Sequence, residues 1–137
     1  MDMMDFNKQV ITEFRANAGK VGGNFAGASM LLLTAKGAKS GEERTTPLVC
    51  SQDGDRLVII ASKAGAPEHP AWYHNLRANP EATVEFGTET FRAKARVAEG
   101  AERDRLYAAQ AAIMPTFNEY QQKTTRVIPV VVLERLP

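Results

Sequence analysis

The sequence has one cysteine and one tryptophan in 137 residues, and only two histidines. A lone Cys50 excludes an intramolecular disulfide and any cysteine cluster for zinc. Lying in an apolar strand, it reads as a buried, inert thiol. Neither sign of charge is in excess: 17 Lys and Arg face 16 Asp and Glu, a formal net charge of +1. Bulk electrostatics therefore draws the chain to neither nucleic acid nor an anionic membrane. No apolar run approaches the roughly 18 residues of a membrane span. The N-terminal stretch carries Asp2 and Asp5 in place of an apolar leader, which points to a reducing, cytoplasmic setting. The chain contains no G-x-G-x-x-G, no Walker A loop, no G-x-S-x-G and no H-E-x-x-H. His69 and His74 are five apart, without the helical i, i+4 spacing or the carboxylates that a metal site needs. Ser62 has no base beside it, so nucleophilic catalysis finds no support. With so few acid–base candidates, a bound cofactor is expected to carry the hard chemistry.

What is present fits one globular domain, residues 1–137, with a sizeable core: 44% of residues are apolar and 24% charged. Phe6, Val10 and Phe14 recur every four residues, with Met3 and Ile11 alongside, and predict an amphipathic helix over Met1–Lys20. Packing on the body of the protein is the plainer reading of its apolar face; a peripheral membrane contact is the alternative. Strands are expected at Ser29–Ala35, Thr45–Ser51 and Arg56–Ser62. Asp53-Gly54 turns the last two into a hairpin, and Pro47 marks an edge or a bulge. Pro70 suits the first position of a short helix in which Trp72 and Leu76 share a face. Asn79-Pro80 ends that helix. Ala82–Phe86 and Thr90–Val97 pair across Gly87-Thr88. In the second of these, Phe91, Ala93, Ala95 and Val97 alternate with Arg92, Lys94 and Arg96; no aromatics interleave with the basic row, so it reads as a solvated strand face. Ala101–Met114 is predicted helical, with Leu106 and Ile113 seven apart, as are Tyr107 and Met114. Pro115 stops it. Thr116–Arg126 is polar, and Ile128–Leu133 is a β-branched final strand. About six strands with a few helices, hairpin signals and no regular β-α alternation favour a closed or split antiparallel barrel with flanking helices, an α+β chain that is mainly β.

The stretch Gly37–Arg77 concentrates the chemistry. Two apolar strands each adjoin a loop carrying Lys, Ser, Gly or Arg, and an aromatic turn follows. Cations and hydroxyls beside glycine-rich backbone suit an anionic ligand, and the aromatic turn suits a flat ring. Together they suit a nucleotide-like cofactor with a charged tail.

The runs K-G-A-K-S-G-E-E-R-T-T-P-L (36–48), A-S-K-A-G-A (61–66), H-P-A-W-Y-H-N-L-R-A-N-P (69–80) and Y-Q-Q-K-T-T-R-V-I-P-V-V-V-L-E (120–134) resemble the deazaflavin-dependent nitroreductase family, in family order and spacing from about Phe25 to Leu136. The resemblance implies a split β-barrel of the kind that also binds flavin mononucleotide, here with coenzyme F420, a deazaflavin with an anionic phospholactyl-polyglutamate tail. It implies that Lys39 and Arg44 meet the tail. Ser62 and Lys63, with backbone near Gly65, take the phosphate. Pro47 and Leu48 lie along the ring, and Trp72, Asn75 and Leu76 line its pocket. Tyr120 matches the position whose hydroxyl faces the electron acceptor. Val49 and Phe117 stand where relatives that activate nitroimidazoles carry tyrosines, and Lys123 where some carry an aromatic. The acceptor pocket is thus expected to hold fewer hydroxyls and to reduce nitroimidazoles weakly. A quinone, an enone or a nitroaromatic each fits as small-molecule acceptor. Two further readings stand beside this one: an FMN enzyme on the same barrel, and a non-catalytic carrier of cofactor or lipid. A homodimer is compatible with all three.

Overall fold

The computed structural model describes residues 3–25 and 27–137. Met1 and Asp2, the start of the predicted N-terminal helix, lie outside them. Six strands, β1 (Met30–Lys36), β2 (Glu43–Asp53), β3 (Arg56–Ile60), β4 (Glu81–Phe86), β5 (Glu89–Val97) and β6 (Val130–Arg135), form a closed antiparallel barrel in the order β1-β2-β3-β6-β5-β4. Four helices flank it: α1 (Met3–Ala16), α2 (Ala71–Ala78), α3 (Gly100–Ile113) and α4 (Thr116–Gln122).

The apolar runs of β1, β3 and β6 are continuous, not alternating, because both faces of these strands are covered. Leu31, Leu33, Ile59, Val131 and Leu133 point into the barrel, where they meet Trp72, Tyr73 and Leu76 from α2. Val58, Ile60, Val130 and Val132 point outward beneath Leu106, Tyr107 and Ala111 of α3 and Phe117 of α4. Met30 and Leu32 point outward beneath Val10 and Phe14 of α1. Burying Val10 and Phe14 contributes about 2 kcal/mol each, and Arg15 adds a paired hydrogen bond to Glu85 at 3.0 and 2.8 Å. The N-terminal helix thus packs on the barrel. It is four residues shorter at its C-terminal end than its periodicity predicts, because Ala18 and Gly19 take left-handed backbone.

Pro47 is explained by register. Cys50 N–H donates to the Ser29 carbonyl at 2.9 Å. The even-numbered residues of β2 therefore bond to β1, and Thr45, Pro47 and Val49 turn their backbone groups the other way. On that other side β3 pairs with β2 only from Cys50 to Asp53. Pro47 faces an open edge, where its missing N–H costs no ladder bond.

The row of Arg92, Lys94 and Arg96 is a solvated face with partners: Arg92 reaches Thr83, Lys94 lies opposite Glu81, and Arg96 bonds Glu102 and Glu134. Arg56 and Arg105 both bind Asp53, and holding it between two guanidiniums lowers its carboxyl to about 2. Three local expectations are corrected. Pro70 caps α2 from just outside, its carbonyl accepting Tyr73 N–H at 3.1 Å. Ile113 is 67% exposed, because α3 ends there and leaves it beyond the face carrying Leu106 and Tyr107. The polar segment after Pro115 forms α4, with Phe117 buried as its anchor. No helix among the described residues is long and apolar enough to cross a membrane.

Candidate active site

Antiparallel pairing brings four segments to one end of the barrel. β1 ends at Lys36 and β2 begins at Glu43, while β3 ends at Ile60 opposite the start of β6 at Val130. Loops 37–42, 61–70 and 123–129, together with α2, therefore share that end, beside the open edge of β2.

On one side of this end a cleft of about 360 Å³ is lined by Lys39, Ser40 and Arg44 from the β1–β2 loop and strand, and by Ala71, His74 and Asn75 of α2. The loop is tight. Gly37 N–H donates to Glu42 O at 2.8 Å and Gly41 N–H to Gly37 O at 3.0 Å. A side chain at Gly37 would collide with Ser40 Oγ at 2.7 Å. Asn75 braces the loop by accepting Ala38 N–H at 2.9 Å. Arg44 is exposed, and Glu42 is no closer to it than 4.0 Å. Lys39 forms no ion pair among the described residues. Two cations with their charge nearly unspent suit an anion.

On the other side is the turn Ser62–Ala66, which carries a 3-10 turn at Lys63–Gly65. Lys63 (φ 46°), Ala64 (φ 54°) and Gly65 (φ 83°) are consecutively left-handed. For the two residues with a Cβ this costs roughly 1 kcal/mol each. Two contacts hold the strain. Gly65 lies directly beneath α4, so close that an added Cβ would stand 2.8 Å from Tyr120 O and 2.9 Å from Lys123 Cβ. Arg126 reaches behind the turn, donating to the carbonyls of Ala61 (3.2 Å), Ser62 (2.8 Å) and Ala66 (2.9 Å) and to His69 Nδ1 (3.0 Å). That last bond requires the His69 ring to carry its proton on Nε2. Burial first, then the neighbouring positive charge of Arg126 and the rings and cations of His74 and Arg77, lower the His69 pKa and keep it neutral. Strained non-glycine backbone held by surrounding contacts is a recurring mark of functional loops. Lys63 Nζ pairs with Glu68 at 2.8 Å, so its charge is partly engaged.

Tyr120 stands in α4, directly above the strained turn. Its ring packs edge-on against Phe117 with centroids 5.2 Å apart, and Lys123 Nζ sits 5.9 Å from its centroid. Val49, from the outward face of β2, joins the same apolar group as Phe117 and Tyr120. Leu48 leans on the barrel interior, and Pro47 is half-buried on the open edge.

The residues proposed from sequence thus divide. Lys39, Arg44 and Asn75 share the cleft. Ser62, Lys63, Gly65 and Tyr120 share the strained turn and the helix above it. Trp72 and Leu76 lie in the barrel interior, Trp72 only 8% exposed. There they fix α2, and with it Asn75, in place; Leu76 also borders a small cavity of about 180 Å³ with Tyr73 and Arg77. Sequence reading missed Arg126 as a structural centre; for His69 it expected a surface or supporting place rather than a metal, and His69 supports the turn through Arg126. An arginine in a polar tail carries no periodicity that would mark it.

The whole constellation has relatives. Residues 6–135 match the family model described as F420H(2)-dependent quinone reductase. An F420H(2)-dependent quinone reductase of Mycobacterium tuberculosis is 41% identical over 128 residues, which span 89% of this chain and 85% of that protein. A solved F420-H2 dependent reductase superposes with a TM-score of 0.72 at 39% identity, covering 77% of this chain and 94% of the other. A second structure, described as a domain-swapped dimer, gives 0.74 at 35% identity over 97% and 100% of the two chains. The chain belongs to the F420H(2)-dependent quinone reductase family, and is an oxidoreductase that uses coenzyme F420.

Proposed function

We propose that the open edge of β2 seats the deazaflavin ring, with the two flanking groups taking its charged portions and Tyr120 facing a quinone. The observation that carries this reading is the arrangement of one barrel end. Two lightly engaged cations lie on one side of the open edge, and the strained turn with Tyr120 lies on the other.

Bound reduced F420 supplies a hydride and is a poor one-electron donor. The residues of the chain do the rest. Lys39 and Arg44 hold the anionic tail, Arg44 through the paired geometry a guanidinium offers a carboxylate. Ser62 and Lys63 hold the phosphate, Lys63 by exchanging Glu68 for it. Thr45, Pro47 and Val49 offer backbone along the ring, and Leu48 supports it from beneath. Together these residues would fix the cofactor against the acceptor for hydride transfer. Tyr120 Oη would give its proton, or a hydrogen bond, to the quinone oxygen on which negative charge develops. One hydride and this one proton make the hydroquinone, and solvent returns a proton to Tyr120. Val49, backed by the buried Phe117, makes the acceptor wall apolar, which favours a conjugated ring over a nitro group in need of hydrogen bonds. A homodimer, as in the domain-swapped relative, is compatible with the exposed outer faces of the helices.

Fluorescence titration with F420, and in parallel with FMN, tests the cofactor reading. F420 is expected to bind in preference. Lys39→Ala should weaken it about tenfold, the worth of one charge-assisted hydrogen bond, and Lys63→Ala less, because Glu68 already engages that lysine. Preference for FMN, or indifference to both substitutions, would overturn the assignment.

The acceptor wall has its own test. Val49→Tyr with Phe117→Tyr is expected to raise nitroimidazole reduction relative to quinone reduction by about tenfold, through two added donors. An unchanged ratio of the two rates would refute the role given to these positions.

A further inference from the structure

Arg126 is the least expected feature of the site. Its guanidinium lies on the inner side of the 61–69 segment and donates to three carbonyls and one imidazole nitrogen. No carboxylate lies within 4 Å of it among the described residues, so its charge is spent on backbone dipoles.

The geometry has a consequence across each peptide bond. A trans peptide places its N–H opposite its C=O. Drawing the Ala61 and Ser62 carbonyls toward Arg126 therefore turns the Ser62 and Lys63 N–H groups the other way. Among the described residues neither N–H donates to a backbone carbonyl. The left-handed Lys63 and Ala64 that follow give the concave run of amides in which anions are bound. The Gly65 and Ala66 N–H groups, by contrast, are used inside the turn, on Ser62 O and Lys63 O.

We infer that Arg126 is a positioning residue for anion capture: it holds the carbonyls of the 61–66 turn inward and so presents the amides of Ser62 and Lys63 to the cofactor's phosphate. The inference rests on the assignment of this turn to the phosphate. Charge alone does not perform this task. An ammonium has three donors about a point, whereas the planar fork of arginine spans acceptors on both Ala61–Ser62 and Ala66–His69.

The test compares Arg126→Ala, Arg126→Lys and Lys63→Ala in the full chain. Three readouts are used: the F420 dissociation constant by fluorescence, amide exchange of residues 61–66 by NMR, and the quinone KM. Arg126→Ala and Arg126→Lys are both expected to weaken F420 by about tenfold or more, as loss of groups that orient binding residues does. Exchange at Gly65 and Ala66 should speed up and the quinone KM should stay within twofold of its original value. Added guanidinium ion should restore part of the affinity of Arg126→Ala. If Arg126→Ala does not fold, Arg126→Lys carries the same expectation. Weaker binding in Lys63→Ala with no change in a folded Arg126 variant would overturn this inference and leave the phosphate assignment standing. No change in either, with Lys39→Ala still weakened, would remove the turn from the cofactor site and the inference with it. A loss in Arg126→Ala that Arg126→Lys fully repairs would show that charge suffices, and would also overturn it.

Discussion

Gly65→Ala is expected to lower stability by about 3 kcal/mol and to abolish tight F420 binding. Two terms add. A left-handed φ of 83° costs an alanine roughly 1–2 kcal/mol. The new methyl would also stand 2.8 Å from the Tyr120 carbonyl and 2.9 Å from Lys123 Cβ, and such overpacking costs typically about 1–3 kcal/mol. Neither obstacle is the end of a flexible side chain, so relief requires α4 to move. That shift would displace Tyr120 and loosen the turn together. For a chain of this size the melting temperature should fall by roughly 10 °C. Gly87→Ala is the control: Gly87 is also left-handed, at φ 61°, but an added Cβ there meets nothing within 4 Å. It should cost only the backbone term, about 1 kcal/mol, and leave F420 affinity intact. Thermal melts and F420 titration of both variants decide the point. Equal losses in the two would mean that the contact with α4 is unimportant.

Tyr120→Phe is expected to reduce kcat for quinone reduction by about a hundredfold, within the range of a lost general acid, equivalent to about 2.7 kcal/mol of barrier. The F420 dissociation constant should not change, because the ring remains against Phe117 and the backbone above Gly65 is untouched. The substitution removes an oxygen and leaves the packing, so stability should shift by less than about 1 kcal/mol. Pre-steady-state oxidation of the bound reduced cofactor by quinone, with a solvent isotope comparison, measures the chemical step directly. A Tyr120→Phe enzyme with wild-type kcat would reduce Tyr120 to a packing residue. It would pass the proton to solvent.

Cys50 is not a competing centre of chemistry. Burial pushes its thiol up to about 11 despite a contact with Ser29 Oγ, so at neutral pH it remains protonated and unreactive.

Much of this was legible in the chain because the information is local. Asp53-Gly54 and Gly87-Thr88 fix hairpins through backbone that turns at a left-handed glycine. Asn79-Pro80 ends α2 by excluding helical geometry before a proline. Alternation in β5 sorted Phe91 and Ala93 inward and Arg92 and Lys94 outward. The four motifs in register pointed to the family before any fold was drawn, since they preserve the loops that meet the cofactor. Tertiary structure decided what depends on residues far apart in sequence. It took Trp72 and Leu76, apolar at helical spacing, into the barrel interior, where burial outweighs exposure at a cleft. It turned the polar run after Pro115 into α4, because Phe117 found a buried seat against Tyr107. It set Gly65 beneath Tyr120, fifty-five positions along the chain, and brought Arg126 behind the strained turn. Residue type and spacing dictate strands, turns and charges. Which carbonyl a distant arginine reaches is fixed only when the barrel closes and brings the start of β6 beside the end of β3.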